Sequence, residues 1–187
     1  MSRVWITGYR TYEIGIFNQD DKKLKVIKRS LKETMINLIE NGCDWIITGA
    51  QLGTEQWVIE IAHELKKDYQ FQLAVILPFE GFGKNWNENN QMIVHQLIQS
   101  ADFSAYVSQK EYESPQQLKN YQQFMLTHTD KALFLYDTEN EGKTIFDYNA
   151  AHKYQNNHVY PIQQIELDDL QDTANEMAEE SKSDYDI

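Results

Sequence analysis

Apolar positions along this chain follow two alternating rhythms. Short unbroken runs, VWIT (4–7), DWIIT (44–48), LAVIL (73–77), FSAYV (103–107), ALFLY (132–136) and VYPIQQI (159–165), punctuate longer stretches where apolar residues recur every three or four positions. The first rhythm predicts strands covered on both faces, and the second predicts amphipathic helices. The helix after the first strand carries Leu24, Ile27, Leu31, Met35 and Leu38, and Asn41-Gly42 stops it. The next presents Trp57, Val58, Ile61, Ala62 and Leu65, and a third Met92, Ile93, Leu97 and Ile98. Pro78 is expected to end the third strand. Ser114-Pro115 reads as an N-cap and first helical residue ahead of Leu118, Tyr121 and Met125. A short helix is expected over about 144–154 and an acidic one from near Leu167, with Pro161 putting the sixth strand at an edge.

Six strands alternating with helices define an α/β protein: a single open, mostly parallel, Rossmann-like sheet with helices on both faces. One domain is expected over residues 1–170, followed by an acidic, flexible tail over 171–187. From Glu176 onward that tail holds five acids and one base, a composition that stays solvated.

Charge narrows the function. The 187 residues include 17 Lys+Arg and 29 Asp+Glu, a net charge of −12, which argues against a nucleic-acid or anionic-membrane binder but leaves room for one local cationic pocket. Aromatic residues make up 12%, and rings beyond the needs of a core often line ligand pockets. The lone Cys43 excludes an intrachain disulfide and a Cys-based zinc cluster, and its place before an apolar strand predicts a buried thiol. His63, His95, His128, His152 and His158 show no metal-ligand spacing, and no G-x-S-x-G elbow is present. No apolar run approaches the roughly 18 residues of a membrane span, and MSRVWITGYR enters a strand at once. A cytoplasmic protein without membrane insertion is expected.

In such sheets ligands sit beyond the carboxyl ends of the strands. Those ends are Thr7-Gly8-Tyr9-Arg10, Thr48-Gly49-Ala50-Gln51-Leu52-Gly53, Pro78-Phe79 and Tyr136-Asp137. The second is either a tight strand-to-helix turn or an anion cradle. Gly49 and Gly53 permit close backbone approach, the following helix supplies free N–H groups, and Thr54 can cap it. It is neither G-x-G-x-x-G nor a Walker A loop. Gly142-Lys143-Thr144 imitates the end of the latter, but Asp137 holds the earlier glycine position. Glu55 either complements the helix dipole, worth about 0.3–1 kcal/mol, or serves a ribose or a general-base role. Arg10 is either a solvated surface residue or a phosphate clamp.

Several stretches together carry a family resemblance: VWITGYR, IITGAQLGTEQW, ILPF with Asn85-Trp86, YESPQQLKNYQQFM and ALFLYDTENEG. Over residues 1–170 the chain resembles the bacterial YpsA family of the SLOG superfamily, relatives of the DNA-uptake protein DprA and of the LOG nucleotide hydrolases. The resemblance implies a SLOG domain whose glycine loops bind a small nucleotide-like ligand, with ADP-ribose or an NAD-derived molecule as candidates. It maps that site onto Gly8, Arg10, Gly49, Gln51, Gly53 and Glu55. Thr7, Thr54, Phe79, Asn120 and Gly142 complete the candidate set. It also implies a regulatory role in bacterial cell division and growth, with cell-division proteins as partners. The chain specifies no oligomeric state.

LOG-type enzymes carry a second motif, P-G-G-x-G-T-x-x-E. The matching stretch here reads TENEGKTIFDYNAA, which keeps Gly142 and Lys143-Thr144 but has no Glu at that spacing. A regulator is therefore the leading expectation. The alternative is a phosphoribohydrolase cleaving an N-glycosidic bond, with Glu55 or Asp137 as its carboxylate. The Arg-Asn of the DprA pattern is Lys119-Asn120 here, and the acidic surface argues against binding single-stranded DNA.

Overall fold

The buried-type runs do form strands: β1 (Arg3–Gly8), β2 (Trp45–Thr48), β3 (Gln72–Phe79), β4 (Phe103–Ser108), β5 (Lys131–Leu135) and β6 (Ile162–Ile165). In this computed structural model, which describes residues 1–185, they make one sheet in the order β4-β3-β2-β1-β5-β6. Every pairing is parallel, so all six carboxyl ends open on one edge.

The helices are α1 (Lys22–Glu40), α2 (Thr54–Leu65), α3 (Glu88–Gln99), α4 (Gln116–Thr127), α5 (Ile145–Gln155) and α6 (Leu167–Tyr185). The chain steps outward from β1 to β4, then returns to the other side of β1. Right-handed crossovers therefore put α1, α2 and α3 on one face and α4 and α5 on the other. The contacts of α1 with α2 and α6, and of α4 with α5, agree. Trp5, Ile6, Leu73 and Phe134 are fully buried in the central strands, which accounts for their unbroken apolar runs.

Three expectations need adjusting. Pro78 does not end the third strand: Phe79 still pairs with Ser108, and the Glu80 N–H reaches the Ser108 carbonyl, so the ladder resumes past the missing donor. On α3 the buried residue is Val94, while Met92 is 56% exposed, because this helix leads to the edge strand where little sheet remains to cover. Helix α4 has Pro115 as N-cap with no side-chain cap from Ser114; the Glu113 and Ser114 N–H groups donate instead to Gln117 Oε1. Helix α6 runs from Leu167 through residue 170 to Tyr185. That helix lies along α1, buries Thr173 and is tied down where Arg29 grips both oxygens of Glu180 at 2.6 and 2.5 Å. Asp186 and Ile187 of the expected tail lie outside the described residues. Among the described residues, no helix is long and apolar enough to cross a membrane.

Candidate functional site

The strand ends meet at Tyr9, which is buried just beyond β1. Its carbonyl accepts the Thr54 N–H (3.0 Å) and hydroxyl (2.9 Å). Its phenol accepts the Asp137 N–H (2.9 Å) and donates to the Asn140 carbonyl (2.6 Å). One residue, through its carbonyl and its phenol, thus locks the ends of β1 and β5 to the start of α2. Thr54 is consequently not the helix cap; Gly53 holds that position. Gly53 has φ +118°, and a Cβ there would lie 2.5 Å from the Tyr9 carbonyl oxygen and 2.8 Å from Arg10 Cα. Arg10 and Gly53 form an isolated antiparallel bridge. Gly8 is equally confined, since its Cβ would come within 2.5 Å of the Leu135 carbonyl.

The Gly49–Gly53 turn closes on the carboxylate of Glu55. The Gln51 N–H donates to Oε1 (2.9 Å) and the Thr7 hydroxyl to Oε2 (2.8 Å). A Cβ on Gly49 would collide with that carboxylate and lie 2.7 Å from the Tyr121 hydroxyl. The Gln51 side chain accepts the Leu52 N–H. Burial pushes the Glu55 carboxyl above its ordinary value, against the opposing pull of the Gln51 N–H, the Thr7 hydroxyl and the Arg10 charge.

A second acid joins it. Asp147, in the first turn of α5, accepts from Gln122 Nε2 at 2.7 Å. Burial pushes its carboxyl up to about 7; the Glu55 charge adds to the rise, while Gln122 and Arg10 oppose it. Burial and both carboxyls raise the Tyr121 phenol well above its ordinary value. The crevice therefore gathers Thr7, Arg10, Glu55, Tyr121, Gln122 and Asp147. Sequence reasoning missed Asp147 and Gln122 and placed Tyr121 only in a helix core. A signal for Asp147 was present: Thr144-x-x-Asp147 keeps the T-x-x-E spacing with Asp in place of Glu.

Other candidates lie elsewhere. Asp137 accepts the Glu139 N–H (2.9 Å) and the Leu167 N–H (3.1 Å) on its two oxygens. It shapes its own loop and the start of α6. Asn120 is exposed on α4 and bonded to Gln116; its neighbour Tyr121 is the residue that reaches the turn. Gly142 packs against the carboxylate of Glu13, which accepts the Lys143 N–H (2.6 Å) and the Arg10 N–H (2.9 Å). Phe79 packs edge-on against Phe82 and at a tilt against Tyr112 at the end of β3. A separate cavity of about 400 Å³ lies beyond Tyr9 between α1 and α6, with mostly apolar walls that include Ile16, Ile27, Leu170 and Ala174. The Cys43 thiol is buried, and burial raises it to about 11, which makes it a poor nucleophile. Among the described residues, no three His, Cys, Asp or Glu side chains gather as a metal site.

A parallel sheet with glycine turns and half-buried carboxyls at its carboxyl edge defines a Rossmann-like protein with a polar crevice. Comparison with known proteins narrows that class. The family model described as the YspA SLOG family (YpsA) matches residues 4–170. A protein of Levilactobacillus brevis named UPF0398 protein is 51% identical over 184 residues, covering 98% of this chain and 97% of that one. Proteins of the same name from Lactiplantibacillus plantarum (48%, 99% and 98% covered) and Latilactobacillus sakei (51%, 96% and 97% covered) are similarly close. The chain belongs to the YpsA family of SLOG proteins.

Proposed function

We propose that the crevice binds the ribose of a nucleotide-derived ligand, of the ADP-ribose or NAD class, and that the chain serves as a ligand-responsive regulator of bacterial growth and division. The observation that carries the ligand reading is Glu55, half-buried and held by Thr7 and Gln51 inside the glycine turn, with Asp147 beside it. A phosphate placed against two carboxyls would be repelled, whereas ribose hydroxyls can donate to both. Arg10, whose charge acts on both acids, supplies the cation for an adjoining phosphate. The regulatory half of the reading rests on the family resemblance. Titration calorimetry with ADP-ribose, NAD and AMP tests the site. Glu55→Gln should weaken binding by about 1.5–3 kcal/mol, the worth of a hydrogen bond to a charged group; unchanged affinity would sink the proposal.

Asp147 favours a second reading, hydrolysis of an N-glycosidic bond. A carboxyl titrating near 7 can protonate a leaving base, while Glu55, fixed by two donors, activates water. Incubation with the same ligands tests this: base released by the wild type, and by neither Glu55→Gln nor Asp147→Asn, marks an enzyme. No release by the wild type removes the reading.

A further inference from the structure

Tyr112 is half exposed, in the loop between β4 and α4, yet that loop is firmly held. The buried Gln117 accepts the Glu113 N–H (2.6 Å) and Ser114 N–H (3.1 Å), and donates to Ser108 Oγ and the Glu111 carbonyl (both 3.0 Å). The facing loop between β3 and α3 is held as well. Gln91 donates to the Trp86 carbonyl (2.6 Å) and the Lys84 carbonyl (2.9 Å), and Lys84 pairs with Glu111 across the two loops (2.6 Å). Gly81 and Gly83 take left-handed conformations that turn the loop so its rings meet. Trp86 packs on Phe82 (centroids 5.3 Å), Phe82 on Phe79 (5.8 Å) and Phe79 on Tyr112 (5.3 Å). An aromatic ladder thus ends in a ring that is fixed in place and open to solvent.

Its position follows from the register. β2 ends at Thr48, opposite Val75, whereas β3 continues four residues further to Phe79. The ladder therefore lies at the same edge of the sheet as the Gly49–Gly53 turn, with Phe79 on the strand next to β2 and Tyr112 following β4, one strand further out. We infer that Phe79 and Tyr112 form a stacking subsite for the flat base of the ligand whose ribose lies on Glu55 and Asp147. This inference rests on the ribose reading above. A ring held by its loop before binding loses little freedom on stacking, and every nucleobase offers a π-face.

Calorimetry with ADP-ribose and with ribose 5-phosphate separates the two claims. ADP-ribose should bind the wild type roughly 10–100-fold more tightly, the worth of one base–aromatic stack. Tyr112→Ala should erase that advantage and leave ribose 5-phosphate affinity unchanged, while Tyr112→Phe keeps it. If Tyr112→Ala binds ADP-ribose as the wild type does, or loses both ligands alike, the stacking subsite is overturned and the ribose reading stands. If the wild type binds neither compound, both fall.

Discussion

The two glycine turns of the carboxyl edge each close around a carboxylate of the chain itself, but on different terms. At Gly49–Gly53 the acid comes from the helix that the turn begins, and the walls around Gly53 are backbone: the Tyr9 carbonyl, Arg10 Cα and the Thr11 nitrogen leave no room for a side chain. At Gly142 the acid is Glu13, brought from a short 3-10 turn (Thr11–Ile14) far away in sequence. The nearest obstacle there is a side chain that can swing aside. The first turn is built rigid around a half-buried acid; the second is closed by a movable one. A glycine turn at a helix start is thus no guarantee of an open anion site, since either can be satisfied from within.

The contrast can be broken at its strongest point with Gly53→Ala. Strain at φ +118° and displacement of the β1 backbone together should cost about 2–5 kcal/mol. In a chain of this size that lowers Tm by roughly 5–15 °C in calorimetry. A change of a degree or less would mean the turn is not rigid. Next in size comes the pH dependence of Asp147. Its folded carboxyl lies at about 7, above the ordinary 3.8, so the protonated form favours the fold. That contribution is complete at low pH and is lost as pH rises through about 7. Asp147→Asn cannot ionise and keeps an acceptor for Gln122. Its stability relative to the wild type should rise by about 1–2 kcal/mol between acid and mildly alkaline pH, after a discount for partial exposure. A pH-independent difference in denaturant midpoints would refute the assignment. Gly142→Ala should do least. Moving Glu13 aside loses one partly exposed hydrogen bond, about 0.5–1.5 kcal/mol, and a larger drop in Tm than that of Gly53→Ala would reverse the comparison.

Much of this was legible from the residues alone. Strands buried on both faces have no alternative but to be continuous and apolar, so all six were found, as were the faces of α1 and α2. Glu55 was legible because a turn and a first-turn acid are neighbours in sequence. What was not legible turns on partners distant in the chain. Asp137 stands at a strand end like a site residue, and only the Leu167 N–H, thirty positions on, shows where its carboxylate goes. Asn120 and Tyr121 are adjacent, and the angle of α4 over the sheet decides which one reaches Gly49. Asp147 was hidden by expecting Glu, although its shorter side chain keeps the acid at the same turn of the helix.

The order of the sheet has a consequence for how the molecule is made. β1 is synthesised first and lies in the middle, and its neighbour β5 comes more than a hundred residues later. At translation rates of about 5–20 residues per second, one edge of β1 waits several seconds for its strand. During that time β1 to β4 can associate, with an open hydrogen-bonding edge that other chains could join. Asp147 and the Asn140 carbonyl that receives Tyr9 arrive only with the last third of the chain. Every growing chain is therefore without its crevice until β5 docks, and a pause in synthesis before that moment would leave a half-sheet for chaperones to shield.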